Sequence, residues 1–388
     1  MIRVFLIAGE ASGDKLGAAL MAGLKSLTEV EFIGVGGPLM QAEGMQSNFP
    51  MDELSVMGIA EVLPKYRHLK RRMEETSQAV LKAQPDVLIT IDSPDFCLRV
   101  AARVKEQSNI RTVHYVAPTV WAWRAGRAAK MAKKIDHVLA LFPFEPPYMQ
   151  AEGMECDFVG HPVATEPVAD PAAAQAFRAA NGIGDKPLLM LLPGSRRGEV
   201  SRLAPIFGQT LQTVLAARPE LKLVIPTTAN VTDLVREQVS DWPVKPLVLS
   251  PQGQDKDAYL AEKRACFAAA DAALAASGTV SLELAATNTP MVIAYDMNWL
   301  SRQIIGRMLK VDTVTLVNLV SDTRAVPEFI GADCKPSKIA AGLLEVLDNP
   351  GAQLDAMRVT MERLGRGGEA PGLRAARAVL RGLGQGAH

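Results

Sequence analysis

Short apolar runs alternate with helical patterns along the first 160 residues. The runs are rich in Val, Ile and Leu and lack polar alternation, which is typical of strands buried on both faces of a parallel sheet. They predict five strands, at 2–8, 31–37, 86–92, 111–117 and 137–142. Such a sheet needs a layer of helices on each face, so this half of the chain is predicted to be a doubly wound α/β domain.

A proline-rich segment at 160–174 interrupts this pattern and indicates an interdomain linker. The alternation then restarts, with predicted strands at 187–195, 221–226, 245–250, 271–277 and 290–296. The predicted fold class is therefore α/β, with two tandem Rossmann-like doubly wound domains and an interdomain cleft. We place an N-terminal domain at 1–163, a C-terminal domain at 164–350, and helices at 351–388 that could pack back on the N-terminal domain.

Composition excludes several classes of protein. The 388 residues are too many for one compact core, and 42 basic residues balance 42 acidic ones, so no global charge favours a nucleic-acid partner. The four cysteines lack disulfide or metal-ligand spacing, which indicates a reducing cytosol. The N-terminal apolar run is too short for a signal peptide, and no run is long enough to span a bilayer. We expect a cytoplasmic protein with at most peripheral membrane contact, and the sequence leaves open whether it forms a homodimer.

Ligands of doubly wound sheets bind at the carboxyl ends of strands, so the residues that follow each strand carry the most weight. After the first strand, Gly9 and Gly13 permit a tight turn into a helix. The start of that helix could bind an anion or a sugar, with Glu10 and Ser12 as candidate acceptor contacts. The spacing is not GxGxxG, and Glu10 would repel a pyrophosphate. The alternative is a plain strand-to-helix turn that is capped by Ser12 or Asp14.

The stretch LITIDSPDF carries two carboxylates after a buried run. No metal-ligating residues accompany them, so we do not predict a metal pair. Asp92, as the last residue of the predicted strand, should face the cleft and is a candidate general base. Asp95 follows Pro94 at the start of a helical pattern and is expected to cap that helix.

The second half has two strand ends that suit an anion. Gly194, Ser195 and Arg196 follow a buried strand, where small residues permit close approach and an arginine can bind phosphate oxygens in pairs. The alternative for this segment is a surface loop with solvated arginines. Together with the next strand end, it indicates a domain that binds a nucleotide diphosphate, which leaves the acceptor to the first half and predicts sugar transfer.

That next strand end contains Ser277, Gly278 and Thr279 at the start of a helix. A helix N-terminus suits phosphate, and Glu283 could accept hydrogen bonds from both ribose hydroxyls. Alternatively, Glu283 complements the helix dipole and has no ligand. The DxD at Asp255–Asp257 precedes a helical run instead of ending a strand, so we predict that it caps a helix. We therefore predict no metal and no cofactor.

Two basic stretches and two histidines indicate a function less specifically than the strand ends do. The first stretch combines an apolar stripe with a cationic face and could lie on an anionic membrane or dock on the core with its charges in solvent. Its candidate membrane contacts are Val62, Leu63, Tyr66, Arg67, Leu69, Lys70, Arg71 and Met73. The second stretch has a basic ridge that suits a membrane, an anionic acceptor or solvent, formed by Arg124, Arg127, Lys130 and Lys133.

Trp121 and Trp123 lie just before that ridge and could stack on a sugar or pack in the core. We include Trp123 among the candidate contacts of the acceptor. His114 lies inside a predicted strand, where a structural histidine is the common outcome. His161 lies at the linker, where the cleft is expected, and is the stronger candidate of the two.

With these residues assembled, the sequence resembles the bacterial lipid-A-disaccharide synthases, inverting glycosyltransferases of GT-B architecture. The resemblance runs from the first strand to about residue 350 and rests on AGEASGDKLGAAL, GVGGPLMQAEGM, LSVMGIAEVLP, IDSPDF, HYVAPTVWAWR, GHP, LLPGSRRGEV, ASGTVSLE and DTVTLVNLV in this order. It implies transfer from UDP-2,3-diacylglucosamine to 2,3-diacylglucosamine 1-phosphate, which gives the β-1,6-linked lipid A disaccharide phosphate and UDP. It also implies no metal requirement and a peripheral position on the cytoplasmic face of the inner membrane.

The resemblance assigns roles to individual residues. The functional aspartate of the family matches Asp92, its arginine matches Arg196, and its nucleotide-site glutamate matches Glu283. An asparagine of the late loop matches Asn318. Where the family pattern has a glutamine after VPEFI, this chain has Gly331, so the polar contact of that glutamine is missing here. The nearest alternative is another UDP-sugar enzyme of the same fold, either a cell-wall glycosyltransferase or a non-hydrolysing epimerase.

Overall fold

The computed structural model describes residues 1–54, 59–120, 126–296 and 311–385, without the side chains of 59–66. The chain forms two compact units, the first made of 1–165 together with 364–388 and the second of 166–363. Each unit contains one parallel sheet with helices packed against it. The predicted α/β class with two doubly wound domains is therefore confirmed.

The first unit has seven parallel strands in the order β3-β2-β1-β4-β5-β6-β7. Its strands are β1 (Ile2–Ala8), β2 (Val30–Val35), β3 (Gln46–Ser47), β4 (Val87–Ile91), β5 (Arg111–Tyr115), β6 (His137–Ala140) and β7 (Glu155–Phe158). Its helices in the first stretch of chain are α1 (Ala11–Leu27), α2 (Pro38–Ala42), α3 (Ile59–Ala83), α4 (Pro94–Lys105), α5 (Gly126–Ala132) and α6 (Pro146–Gln150), with 3₁₀ turns at Met51–Glu53 and Pro162–Ala164.

The second unit has six parallel strands in the order β10-β9-β8-β11-β12-β13. They are β8 (Leu188–Leu192), β9 (Lys222–Pro226), β10 (Leu247–Leu249), β11 (Ala272–Ala275), β12 (Met291–Tyr295) and β13 (Glu328–Ile330). The helices are α7 (Pro171–Ala180), α8 (Arg197–Ala217), α9 (Thr232–Gln238), α10 (Lys256–Ala269), α11 (Val280–Ala286), α12 (Leu316–Ser321), α13 (Pro336–Asp348) and α14 (Gly351–Arg363), with a 3₁₀ turn at Gly331–Asp333. The chain then returns to the first unit as α15 (Pro371–Gly382).

Both sheets reverse their strand order at one point. In the first unit β1 pairs with β2 on one side and β4 on the other, and in the second β8 lies between β9 and β11. At such a reversal the chain leaves two neighbouring strands in opposite directions, which opens a crevice at their carboxyl ends. The segments that follow β1, β4, β8 and β11 are the ones that the sequence marks as chemical.

Asp14 has a different role from the one expected of it. The N-cap residue of α1 is Glu10, and no side chain caps that helix. Asp14 is instead buried, and its carboxylate accepts hydrogen bonds from the backbone N–H groups of Gly37, Leu39 and Met40 at 2.9, 3.0 and 3.0 Å. It therefore caps α2, because the sheet brings the β2–α2 turn over the side of α1.

The predicted capping role of Asp255 is confirmed. Asp255 is the N-cap residue of α10, and its carboxylate accepts hydrogen bonds from the N–H groups of Asp257 and Ala258, each at 3.0 Å. Both donors lie in the first turn of the helix, where backbone N–H groups have no partner within the helix. The DxD sequence thus serves the start of α10.

The predicted basic helix is formed, as α3, but the described part of its apolar stripe faces the protein. Met73 is buried in the core and Leu69 packs against the same cluster, so a lipid contact of Met73 is contradicted. Arg72 binds both oxygens of Glu53 and holds the pKa of that carboxyl at about 2. The side chains of Val62, Leu63 and Tyr66 lie outside the described residues. Arg67, Lys70 and Arg71 are exposed.

Among the described residues, no helix is long and apolar enough to cross a membrane.

The helix α15 is amphipathic and packs its apolar face on α1, where Gly23 and Gly372 allow the two helices to approach closely. A Cβ atom at Gly23 would lie 2.7 Å from the carbonyl oxygen of Gly372, and one at Gly372 would clash with the carbonyl of Ala19. Arg374 also joins this helix to the sheet, since it donates to the carbonyl of Phe158 at 2.8 Å.

We expect Gly372→Ala to destabilise the first unit by roughly 1–3 kcal/mol, because the new methyl group must push two backbones apart. Gly351→Ala is the control, since a Cβ atom there meets no atom within 4 Å. Urea unfolding followed by circular dichroism compares the two. Equal midpoints for both variants would show that α15 can shift without cost.

Candidate functional site

The carboxyl ends of β4 and β5 form one wall of a cavity of about 580 Å³ in the first unit. Asp92 and His114, predicted separately, both line it, together with residues of α4 and α5. Four basic residues share this lining, namely Arg99, Arg127, Lys130 and Lys134. The volume suits a small organic ligand such as a sugar.

Asp92 lies just beyond the strand and not within it, since β4 ends at Ile91. Asp92 and Ser93 both adopt the left-handed conformation, with φ angles of 52° and 44°, which is uncommon for residues other than glycine. The N–H of Asp92 donates to the carbonyl of Tyr115 at 3.0 Å, which holds the turn against β5. The turn also needs Gly9, because a Cβ atom there would be 2.5 Å from Ser93 Oγ.

The carboxylate of Asp92 has no hydrogen-bond donor within the part of the chain that the structure describes. This distinguishes it from three other acids that lie near strand ends. Asp14 and Glu199 both accept backbone N–H groups, and so does Glu145, whose carboxylate binds the N–H groups of Leu141 and Phe142. Asp92 is thus free to accept a proton or a hydrogen bond from a ligand in the cavity.

His114 is buried, and its Nδ1 lies 2.7 Å from Thr90 Oγ1, which is also 3.1 Å from the carbonyl oxygen of Val113. If the hydroxyl donates to that carbonyl, Nδ1 donates to the hydroxyl, and Nε2 is left as an acceptor. Burial lowers the pKa of His114 to about 4, so the ring is neutral at pH 7. His114 is therefore a polar but uncharged part of the cavity wall.

Three of the remaining acceptor candidates, Glu10, Ser12 and His161, do not line this cavity. Glu10 and Ser12 lie at the start of α1, next to the Asp92 turn through Gly9. His161 caps a 3₁₀ turn, and its Nδ1 accepts the N–H of Val163 at 3.1 Å. This explains the histidine structurally. Trp123 lies outside the described residues.

Asp95 does not cap α4 as predicted. The N-cap residue is Ser93, and no side chain makes a capping hydrogen bond there. The left-handed conformation of Ser93 turns the chain so that Pro94 and Asp95 already belong to the first turn. Asp95 is exposed and lines the cavity, where its charge complements the helix dipole.

The second unit has a cavity of about 640 Å³ at the carboxyl ends of β8 and β11. It brings together seven residues that the sequence predicts as nucleotide contacts, namely Gly194, Ser195, Arg196, Ser277, Gly278, Thr279 and Glu283. They lie on the two sides of the strand-order reversal. Within the described chain, the N–H groups of Gly278 and Thr279 donate to no acceptor.

The loop after β8 is held by side chains that the sequence did not single out. Glu199 accepts the N–H groups of Ser195 and Arg196 at 3.2 and 3.4 Å, and pairs with the Arg196 guanidinium at 2.9 Å. Asn230 donates to the carbonyl of Ser195 at 2.9 Å. Gly194 has φ of +119°, and a Cβ atom there would lie 2.5 Å from that of Glu199. The guanidinium remains exposed, so it can still reach an anion.

Lys263 is a further residue of this cavity that the sequence pattern does not single out. It lines the cavity, pairs with Glu283 at 2.8 Å and lies 5.0 Å from the centre of the Phe267 ring. In the sequence Lys263 is only a basic residue within the helical run of α10. Such a residue is common on any solvated helix face, so it does not indicate a site. The ion pair means that Glu283 has a protein partner before a ligand binds.

Asn318 does not line this cavity. It is buried, and its amide donates to Thr313 and to the carbonyl of Val326 and accepts the N–H of Val326. It therefore holds the loop that follows α12. Gly331 begins a 3₁₀ turn with φ of +59°.

No three His, Cys, Asp or Glu side chains within the described ranges are grouped to hold a metal ion. All four cysteines are buried, and burial raises the pKa of Cys156 to about 12 and that of Cys97 and Cys266 further.

Solved structures with the same fold include a UDP-GlcNAc 2-epimerase and a protein in complex with UDP. A UDP-GlcNAc 2-epimerase from Neisseria meningitidis bound to UDP-GlcNAc has a TM-score of 0.63 and 11% identity, over 98% of this chain and 99% of that chain. A co-structure of S. aureus MnaA with UDP has a TM-score of 0.65 and 12% identity, over 99% and 98%. At this identity the likeness defines the fold alone, which is the two-domain GT-B fold.

Sequence comparison identifies the family. The family profile described as lipid-A-disaccharide synthetase matches residues 4–370. The lipid-A-disaccharide synthase of Ruegeria pomeroyi is 63% identical over 381 residues, which is 98% of this chain and 95% of that protein. The chain belongs to the lipid-A-disaccharide synthetase family. It is a glycosyltransferase of lipid A biosynthesis, and the resemblance that its motifs indicate is confirmed.

We expect the stability of this protein to depend on pH through His114. The unfolded imidazole binds its proton near pH 6.5 and the native one only near pH 4, so the unfolded state holds more protons between these values. The free energy of unfolding should therefore fall as the pH drops from about 6.5 to about 4, with a contribution of roughly 3 kcal/mol from His114.

His114→Asn keeps a polar group near Thr90 but cannot be protonated, so its unfolding free energy should fall less over that range. Urea unfolding of both proteins at several pH values measures the difference, and titration of every other group is common to the two. Parallel pH profiles would contradict the burial of a neutral His114.

Proposed function

We propose that this chain transfers diacylglucosamine from UDP-2,3-diacylglucosamine to the 6-hydroxyl of 2,3-diacylglucosamine 1-phosphate. The products are the β-1,6-linked lipid A disaccharide 1-phosphate and UDP. The observation that carries the proposal is the presence of two cavities at the carboxyl ends of parallel strands, one with a carboxylate that accepts no hydrogen bond from the described residues and one with cations and a glutamate. Family membership supports the disaccharide product, and the chemistry of the cavities supports the assignment of one substrate to each cavity.

The cavity of the second unit is the proposed site of the UDP donor. Arg196 and Lys263 supply positive charge for a diphosphate, and the small residues Ser277 and Gly278 leave room for it. Glu283 is proposed to accept ribose hydroxyls. In the free protein Lys263 neutralises this glutamate, so donor binding would exchange one ion pair for contacts of both residues with the ligand.

The cavity of the first unit is the proposed site of the acceptor, with Asp92 as the general base. The 6-hydroxyl attacks the anomeric carbon of the donor as the bond to UDP breaks, which inverts the configuration at that carbon. The hydroxyl proton passes to Asp92, whose carboxylate has no competing donor within the described residues. The strained turn is a reason for this availability, since it fixes the backbone without using the side chain.

Negative charge develops on the leaving diphosphate. We propose that Arg196 stabilises it, because Glu199 anchors the loop while the end of the guanidinium stays exposed. Glu199, Asn230 and Gly194 are then positioning residues of the donor site. Asn318 has the same kind of role at greater distance, through the loop that its amide holds.

We expect Asp92→Asn to lower kcat by about 10²- to 10⁴-fold, because the amide cannot accept the proton. The assay follows UDP release from acylated donor and acylated acceptor phosphate, with chelator present. Asp95→Asn is the matched comparison, an exposed carboxylate on the same cavity wall that should keep most of the turnover.

If folded Asp92→Asn retains most of its turnover, the base assignment is wrong. The same assay also tests the overall reaction. A UDP-sugar epimerase would not need the acceptor, and a cell-wall glycosyltransferase would not need its acyl chains. Release of UDP by the wild-type protein without a diacylated acceptor would therefore overturn the proposed function.

We also propose that α3 brings the protein to the cytoplasmic face of the anionic inner membrane. Lys70 and Arg71 lie three and four residues after Arg67, so both share one exposed face of the helix with it. With Leu69 and Met73 turned to the core, the support for this contact is electrostatic. Self-association into a homodimer stays a prediction.

We expect Lys70→Glu to weaken binding to vesicles that contain anionic lipid by about tenfold, since a charge reversal removes one attraction and adds one repulsion. Lys82→Glu is the control. It reverses the charge of an exposed lysine in the last turn of α3, away from Lys70, and should have a smaller effect. Sedimentation with anionic and with neutral vesicles measures both. Equal losses for the two variants would contradict a membrane contact centred on Lys70.

A further inference from the structure

The cavity that holds Asp92 carries more positive charge than a sugar requires. Arg99 lies on α4, Lys130 on α5, and Lys134 two residues beyond the end of α5, and all three line the cavity. Arg127 lies on the same wall. Only two carboxylates, Asp92 and Asp95, face these cations in the lining.

Three of these cations differ from several other basic residues of the same unit. Arg72, Lys105 and Arg111 are each paired with a carboxylate, Lys105 with Asp136 at 2.7 Å. Arg99, Lys130 and Lys134 have no acidic partner among the residues that the structure describes. Cations that converge on one cavity without acids to balance them repel one another, and an anionic ligand would relieve this repulsion.

We propose that Arg99, Lys130 and Lys134 bind the 1-phosphate of the acceptor sugar. The proposal rests on the assignment of this cavity to the acceptor, and it identifies the feature by which the cavity selects its substrate. A phosphate monoester carries close to two negative charges and offers three acceptor oxygens, which three cations from two elements can share.

The placement of charge also orients the sugar. The 1-phosphate is bonded to C1 and the 6-hydroxyl to the CH2 group on C5, so the two groups flank the ring oxygen, and the carboxylate of Asp92 would repel the phosphate. A sugar phosphate that puts its anion among the three cations is therefore held with its 6-hydroxyl free to approach the base. Orientation of this kind lowers the entropic part of the barrier to reaction.

A basic ridge could also contact a membrane surface, and the structure separates that role from ligand binding by position. Lys133 is exposed and does not line the cavity, although it lies in the same basic run as Lys130. A membrane surface would attract both lysines, whereas a ligand in the cavity would contact Lys130 alone. Lys133 is therefore the matched control for Lys130.

The test compares short-chain diacylglucosamine 1-phosphate with the same sugar bearing a free 1-hydroxyl. Dissociation constants are measured by calorimetry without donor, for wild type, Arg99→Gln, Lys130→Gln and Lys133→Gln. We expect the first two variants to bind the phosphorylated sugar about ten- to hundredfold more weakly and the neutral sugar unchanged. Lys133→Gln should match the wild type for both sugars.

Turnover supplies the second measurement. In the UDP-release assay, Arg99→Gln and Lys130→Gln should raise KM for the phosphorylated acceptor by a similar factor while KM for the donor stays constant. If the variants lose equal affinity for both sugars, these residues stabilise the fold or contact the sugar ring. If affinity is unchanged, the phosphate binds elsewhere. Either result overturns the proposal.

The remaining outcomes separate this proposal from the others. If Lys130→Gln and Lys133→Gln reduce binding to acceptor-free anionic vesicles equally, and neither changes sugar binding, the ridge contacts membrane lipid. If the wild-type protein binds the sugar phosphate in preference to the neutral sugar but releases no UDP, the proposed function fails and the phosphate site stands.

Discussion

The reversal of strand order in each sheet is the constraint on which the rest of this structure depends. A parallel sheet forces its connections over its faces, and where they change direction the carboxyl ends of two neighbouring strands are left uncovered. In this protein those ends belong to β1 and β4 in one unit and to β8 and β11 in the other. The cavity of the second unit lies at its reversal, and the cavity of the first unit lies beside its reversal, at the carboxyl ends of β4 and β5.

The two units use the same geometry for different chemistry. The crevice of the second unit presents cations, small residues and a glutamate, which suits a charged leaving group. The crevice of the first presents a carboxylate without a donor, a neutral histidine and a set of cations, which suits a sugar that must lose a proton. The overall balance of 42 basic and 42 acidic residues conceals this local division of charge.

Much of this could be predicted from the sequence, because buried parallel strands leave an unmistakable apolar pattern and chemical residues follow them directly. The short edge strands β3, β7 and β13 have no such pattern, since each has only two to four residues and is not fully buried. The role of Met73 was wrong because a helical stripe does not reveal whether it faces lipid or core. Lys263 and Glu199 were missed because their partners are set by tertiary packing.

Three carboxylates near the strand ends serve the backbone. Asp14, Glu145 and Glu199 each accept N–H groups of a neighbouring turn, so the protein supplies the anions that its own turns need. These hydrogen bonds fix the loops before a ligand binds, and they leave those carboxylates unavailable for proton transfer. An acidic residue after a strand is therefore evidence for a catalytic role only when its turn is held by groups other than its own carboxylate. Asp92 meets this condition, because the left-handed pair at 92 and 93, its N–H bond to Tyr115 and the absence of a side chain at Gly9 fix its turn without its carboxylate.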